Sequence, residues 1–127
     1  MRVALDTSTV YALFKNEPFV ATRLRFAEAI FLPLPVIGEI LFAAKKSAQC
    51  AANLKRVREL RHVSVALIPT EETASFYSDI RLDLEKKGRP IPVNDLWIAA
   101  LCREHSVPLA TRDKHFDYIE GLQILRW

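Results

Sequence analysis

Residues 2 to 8, Arg2-Val3-Ala4-Leu5-Asp6-Thr7-Ser8, are a short apolar run that stops on a carboxylate and passes directly into the helix-like Thr9-Val10-Tyr11-Ala12-Leu13-Phe14. A strand over about 2–6 followed at once by a helix over about 8–15 is the opening of a parallel β–α unit. The rest of the chain repeats the alternation. Its patterning predicts a helix over about 18–28, a strand at 29–33, helices at about 35–47 and 50–62, and a strand at 64–68. Thr70-Glu71-Glu72-Thr73 then has the cap-then-acid character of a helix start, and that helix runs to about Lys87, where Gly88 stops it. After the stiff loop Gly88-Arg89-Pro90-Ile91-Pro92, Asn94 is expected to cap a helix reaching His105, and strands are expected near 108–110 and 122–125. Short apolar strands alternating with helices predict an α/β fold, a three-layer α/β/α sandwich around a mainly parallel sheet. In such a sheet ligands collect beyond the carboxyl ends of the strands.

Four acids stand out against that frame. Asp6 ends the first apolar run, Glu39 interrupts Val36-Ile37-Gly38-Glu39-Ile40-Leu41-Phe42-Ala43-Ala44, Asp95 opens Leu96-Trp97-Ile98-Ala99-Ala100-Leu101, and Asp113 follows Val107-Pro108-Leu109-Ala110-Thr111-Arg112. Asp6 and Asp113 fall just after strands, and Glu39 and Asp95 in early helical turns that start near the same sheet edge. Each has an ordinary explanation. Asp6 can cap a helix, Asp95 can complement a helix dipole, and Asp113 can close an Asx turn. Glu39 is harder to explain this way, since its neighbours leave little polar face and positions 35, 36, 42 and 43 offer no basic partner. If the fold gathers all four, their mutual repulsion calls for a cation, and a hard divalent ion held by oxygen ligands meets that need.

Taken in order, Leu5-Asp6-Thr7-Ser8, Glu39, Pro90-Ile91-Pro92-Val93-Asn94-Asp95-Leu96-Trp97-Ile98-Ala99-Ala100, Thr111-Arg112-Asp113-Lys114-His115-Phe116 and Ile119-Glu120-Gly121-Leu122 resemble the PIN-domain nucleases, and within them the VapC-type toxins of toxin–antitoxin pairs. The likeness spans essentially the whole chain, read as a single domain over 1–127. It implies a Mg2+ or Mn2+ site built by Asp6, Glu39, Asp95 and Asp113, endoribonuclease activity, a homodimer and inhibition by a cognate antitoxin. It further implies that the three Asp supply most direct ligands, that Glu39 acts through water or a second ion, and that Thr111 orients the attacking water. Ser8 and Asn94 occupy positions that often support the site in relatives, although a helix cap accounts for either. Asp117 reads as a surface residue.

The same residues bear on other chemistries. A metal-free ribonuclease would use paired histidines, and His62, His105 and His115 are available. His62 lies in the basic helix and His105 at a helix end, where a cation is favourable, while His115 neighbours Asp113 or sits in a surface turn. A phosphoacceptor receiver domain would need an acceptor Asp near mid-chain, and residues 50 to 63 hold no Asp. An Asp-x-Asp phosphatase fails because its second position is Ser8. An inactive PIN-like binding module is the non-enzymatic alternative. Val10 to Phe14 and Phe19 to Phe26 carry enough large apolar side chains to line an antitoxin groove as well as a core.

Composition fits these readings. With 127 residues and 50% hydrophobic content the chain has enough for one core. The apolar stretch Ala29 to Ala44 contains Pro33, Pro35 and Glu39 and is shorter than the ~20 residues of a membrane helix. No basic-then-apolar leader opens the chain, so a cytoplasmic location without membrane association is expected. Cys50 and Cys102 lie far apart without close Cys or His partners, which argues against a zinc knuckle or disulfide framework. The net charge of +3 comes from 18 bases and 15 acids, and with the four special carboxylates set aside the remainder is +7. An acidic pit in a basic surface suits an anionic polymer such as RNA, and Lys45, Lys46, Lys55, Arg56, Arg58 and Arg61 are candidates to flank its path.

Overall fold

A computed structural model describes all 127 residues. Its elements run β1 (Arg2–Leu5), α1 (Thr7–Phe14), α2 (Pro18–Arg25), β2 (Ala29–Pro33), α3 (Leu34–Lys46), α4 (Cys50–His62), β3 (Ser64–Leu67), α5 (Glu71–Lys86), α6 (Val93–Glu104), β4 (Leu109–Ala110), a 3-10 helix (Lys114–Tyr118) and β5 (Ile124–Leu125). The strands form one sheet in the order β3-β2-β1-β4-β5, and every pairing is parallel. The helices make it a three-layer α/β/α fold. Val3, Ala4 and Leu5 of the central strand have no solvent exposure, as a strand covered on both faces requires.

Topology places the functional edge. The chain enters at β1, moves outward to β2 and β3, and then crosses back so that β4 lies on the other side of β1. Parallel strands all point their carboxyl ends the same way, so the residues after β1 and after β4 emerge side by side. The contact continues past the strands: Asp6 N–H donates to the Ala110 carbonyl at 3.1 Å, and the buried Thr9 hydroxyl donates to the same carbonyl at 2.8 Å. Leu32, Val36, Ile40, Leu96, Ile98, Leu109 and Phe116 belong to one buried hydrophobic cluster, so the sheet, α3, α6 and the 3-10 helix share a core.

Several boundaries differ from the sequence expectation for local reasons. The second helix ends at Arg25 rather than near 28, because Glu28 N–H is taken by the Met1 carbonyl at 2.7 Å as β2 begins to pair with β1. The last helix starts at Val93 with Pro92 in the cap position, so Asn94 is inside the helix and does not cap it. Proline at the cap fixes φ and gives up no needed donor there. Gly88 adopts φ +68, a left-handed conformation that closes the helix before it. Both cysteines are free thiols, and burial pushes the Cys102 thiol far above its ordinary range.

Candidate functional site

Asp6 is the innermost acid. It follows β1 with only 5% of its surface exposed, and its side chain accepts the Thr7 N–H on Oδ1 at 2.7 Å and the Thr111 hydroxyl on Oδ2 at 2.7 Å. Capping and site formation are therefore the same geometry, since the Asp6 side chain that caps α1 is also the one tied to the loop after β4. Burial is the main reason the Asp6 carboxyl is raised above its ordinary range. The Thr111 and Thr7 hydrogen bonds oppose that shift, and the charges of Asp113 and Glu39 add to it.

Thr111 is completely buried. Its one O–H is committed to Asp6, and its oxygen accepts the Asp113 N–H at 3.0 Å. A hydroxyl so engaged ties the Asp6 carboxylate to the backbone that carries Asp113. Asp113, at the start of the 3-10 helix, accepts the His115 N–H on Oδ1 at 2.9 Å. The Arg126 guanidinium ties down its loop, donating to the carbonyls of Thr111 at 3.0 Å and Asp113 at 3.2 Å and pairing with the exposed Asp117.

Asp95 lies in the first turn of α6. Its carboxyl is pushed up to about 6, first by burial and next by the charge of Asp6, with Asp113 adding to the shift and the hydrogen bond from His115 opposing it. Glu39 is only half-buried, on a stretch of α3 where Phe42, nearly one turn on, is 66% exposed. Glu39 is not unpaired either. It accepts the Thr7 hydroxyl at 2.6 Å and the Asn94 amide at 3.0 Å. Asn94 thus supports Glu39 where the sequence suggested a cap, and Thr7 is a contributor that the sequence did not single out. These pairs bridge 32 and 55 residues, so only the threonine and asparagine types beside the acidic motifs hinted at them.

The structure therefore gathers all four acids at the carboxyl edge of β1 and β4. Oxygen atoms of Asp95 and Asp113 and a ring nitrogen of His115 lie within 4.8 Å of one another. Among the four acids, only Asp95 and Asp113 have an ionic partner, and that partner is His115, at 3.4 and 3.2 Å. No lysine or arginine neutralises the cluster. Such a donor set, rich in hard oxygens and short of positive charge, fits a divalent cation. The two other histidines do not join it. His105 caps the far end of α6, ten residues or about 15 Å of helix rise beyond Asp95, and His62 ends α4 beside the edge strand β3. No second histidine therefore stands beside His115 to form a paired acid and base.

Comparison with known proteins agrees with this geometry. A family model described as PIN domain matches residues 3–122. The ribonuclease VapC1 of Haemophilus influenzae is 28% identical over 97% of this chain and 96% of its own length. The solved structure of VapBC-1 from nontypeable Haemophilus influenzae superposes with a TM-score of 0.90 at 29% identity, covering 100% of this chain and 98% of that one. A VapBC2 structure from Rickettsia felis gives a TM-score of 0.91 at 23% identity over 100% of this chain and 99% of its own, a likeness of fold.

Proposed function

Because the chain belongs to the PIN domain family, we propose that it is a divalent-metal-dependent endoribonuclease and the toxin of a toxin–antitoxin pair. The observation that carries the proposal is an acidic cluster at the carboxyl edge of the sheet whose charge no lysine or arginine offsets, in a chain similar over nearly its whole length to a protein named as a ribonuclease. Mg2+ or Mn2+, held by Asp6, Asp95 and Asp113 with Glu39 beside them, would neutralise the scissile phosphate and acidify a water for in-line attack that expels the ribose 3′-oxygen and leaves a 5′-phosphate.

The chain's own residues supply position. Thr111 links the Asp6 carboxylate to the Asp113 backbone, while Thr7 and Asn94 occupy both oxygens of Glu39 and fix its carboxylate plane. That rigidity matters because a displaced ligand carboxylate loses both metal affinity and in-line alignment. Glu39, half-buried and held by neutral donors, would act on the metal through a water or hold a second ion. Basic side chains on α3 and α4 supply the sequence-independent attraction to the RNA backbone.

For the antitoxin, a receiving surface is offered by a cavity of about 250 Å³ between α1, α3 and α4, lined by Tyr11, Phe14, Ile40, Val57, Lys15 and Arg56. Val10 and Val20 of the early helices belong to the core, whereas Phe19 and Phe26 stay 50% and 76% exposed. Apolar walls with two cations suit a partner segment that alternates apolar and acidic residues. Solved relatives are VapBC assemblies, which supports an antitoxin partner, and we extend their likeness to a homodimer acting in the cytoplasm. No helix is long and apolar enough to cross a membrane. Purified protein should cleave RNA in Mg2+ or Mn2+, be silent in EDTA and leave 5′-phosphate ends. Undiminished cleavage in EDTA, or cyclic 2′,3′-phosphate ends, would refute this reading.

A further inference from the structure

We infer that His115 is itself a ligand of the metal, adding a nitrogen donor to the Asp95–Asp113 pair and turning the site toward Mn2+ and related transition ions over Mg2+. The inference rests on the metal-nuclease reading and goes beyond it by assigning a ligand outside the acidic quartet and an ion preference. Its basis is the placement of one atom. His115 Nδ1 stands 3.4 Å from Asp95 Oδ2 and 3.2 Å from Asp113 Oδ1. Two neighbouring ligands of an octahedral ion with bonds near 2.1 Å are about 3 Å apart. The imidazole nitrogen therefore stands from each carboxylate oxygen at close to the spacing of adjacent corners of one coordination shell, and the three residues can bring one ligand atom each within 4.8 Å of the others.

The loop that carries the ring is fixed. Phe116, the next residue, is completely buried, the His115 N–H is bonded to Asp113 Oδ1 at 2.9 Å, and Arg126 grips the carbonyls of Thr111 and Asp113. The backbone thus delivers the ring, 53% exposed, to the carboxylates, and its two Nδ1 contacts set its place there. Its Nδ1 faces the two acids, and Nε2 is the atom left to carry the proton when Nδ1 offers its lone pair to an ion. Imidazole is a poor match for Mg2+, which strongly prefers oxygen, and a better one for Mn2+ and later first-row ions. The competing explanation is that His115 only pairs as a cation with two acids.

Pulsed electron paramagnetic resonance of the Mn2+-loaded full-length protein separates the two, because a nitrogen bound to Mn2+ imprints its nuclear coupling on the echo and a merely nearby cation does not. The expected result is nitrogen modulation in the wild type, its loss in His115→Gln, and a Mn2+-over-Mg2+ affinity ratio about tenfold lower in that variant by calorimetry. Binding of Mn2+ by the wild type without nitrogen coupling would overturn the assignment of His115 and leave the metal site standing. Failure of the wild type to bind Mn2+ at all would overturn both.

Discussion

Asp95 shows at the scale of one residue what the site costs the empty protein. Its folded carboxyl titrates at about 6 against 3.8 for the unconstrained group, so the folded state holds its proton more tightly than the unfolded chain does. Stability from this group is therefore fully present below about pH 4 and is lost as pH rises through about 6. Asp95→Asn cannot ionise and should escape that loss. In EDTA at pH 7.5 the variant is expected to be more stable than wild type by on the order of 1–3 kcal/mol, the two converging near pH 4, as read by urea unfolding across pH. The same substitution should abolish RNA cleavage. Asp6→Asn should gain less, because Asp6 uses one oxygen for the Thr7 N–H and the other for the Thr111 hydroxyl, and an amide keeps only one acceptor. An Asp95→Asn variant less stable than wild type at pH 7.5 would mean that this acid works as a helix-dipole residue.

At the scale of elements, the 3-10 helix after β4 decides whether Asp113 and His115 reach the site. Phe116 anchors it in the core without exposure, so Phe116→Ala should cost about 3–5 kcal/mol and weaken Mn2+ binding, whereas Phe116→Leu should restore most of both. Equal Mn2+ affinity in folded Phe116→Ala would show that the loop holds its shape without that anchor. This helix is also where sequence patterning reached its limit. The β–α alternation was legible because each strand carries a continuous apolar run and glycines or prolines mark the breaks, as at Gly88 and Pro92. Lys114–Tyr118 is too short for any period to register, and its one decisive residue, Phe116, looks like an ordinary turn aromatic. The four acids were legible as interruptions of apolar runs, and all four do converge. Their supports were not, because Thr7–Glu39 and Asn94–Glu39 are long-range pairs and local spacing made Asn94 look like a cap. The apolar neighbours of Glu39 likewise gave no sign that the outer side of α3 leaves Phe42 exposed.

On the scale of the whole molecule, the contrast is between an acidic edge and a basic remainder. RNA affinity should then fall with salt, with log Kd against log salt sloping by about 0.7 for each phosphate neutralised and by roughly 2 to 4 in all if three to five of the basic side chains make contact. A flat dependence would assign recognition to base contacts. The same charge separation explains why the cation matters to folding as well as to chemistry: a ligand that binds the folded state and removes repulsion among Asp6, Asp95, Asp113 and Glu39 stabilises it by linkage. Whether these carboxylates form a divalent metal centre is the claim on which the rest depends, and calorimetric titration of Mn2+ into wild type and Asp95→Asn tests it most directly. Saturable binding to wild type, rising in affinity as pH climbs past about 6 and collapsing in the variant, is the expected result. Absence of binding to folded wild type, or equal binding by both proteins, would contradict it.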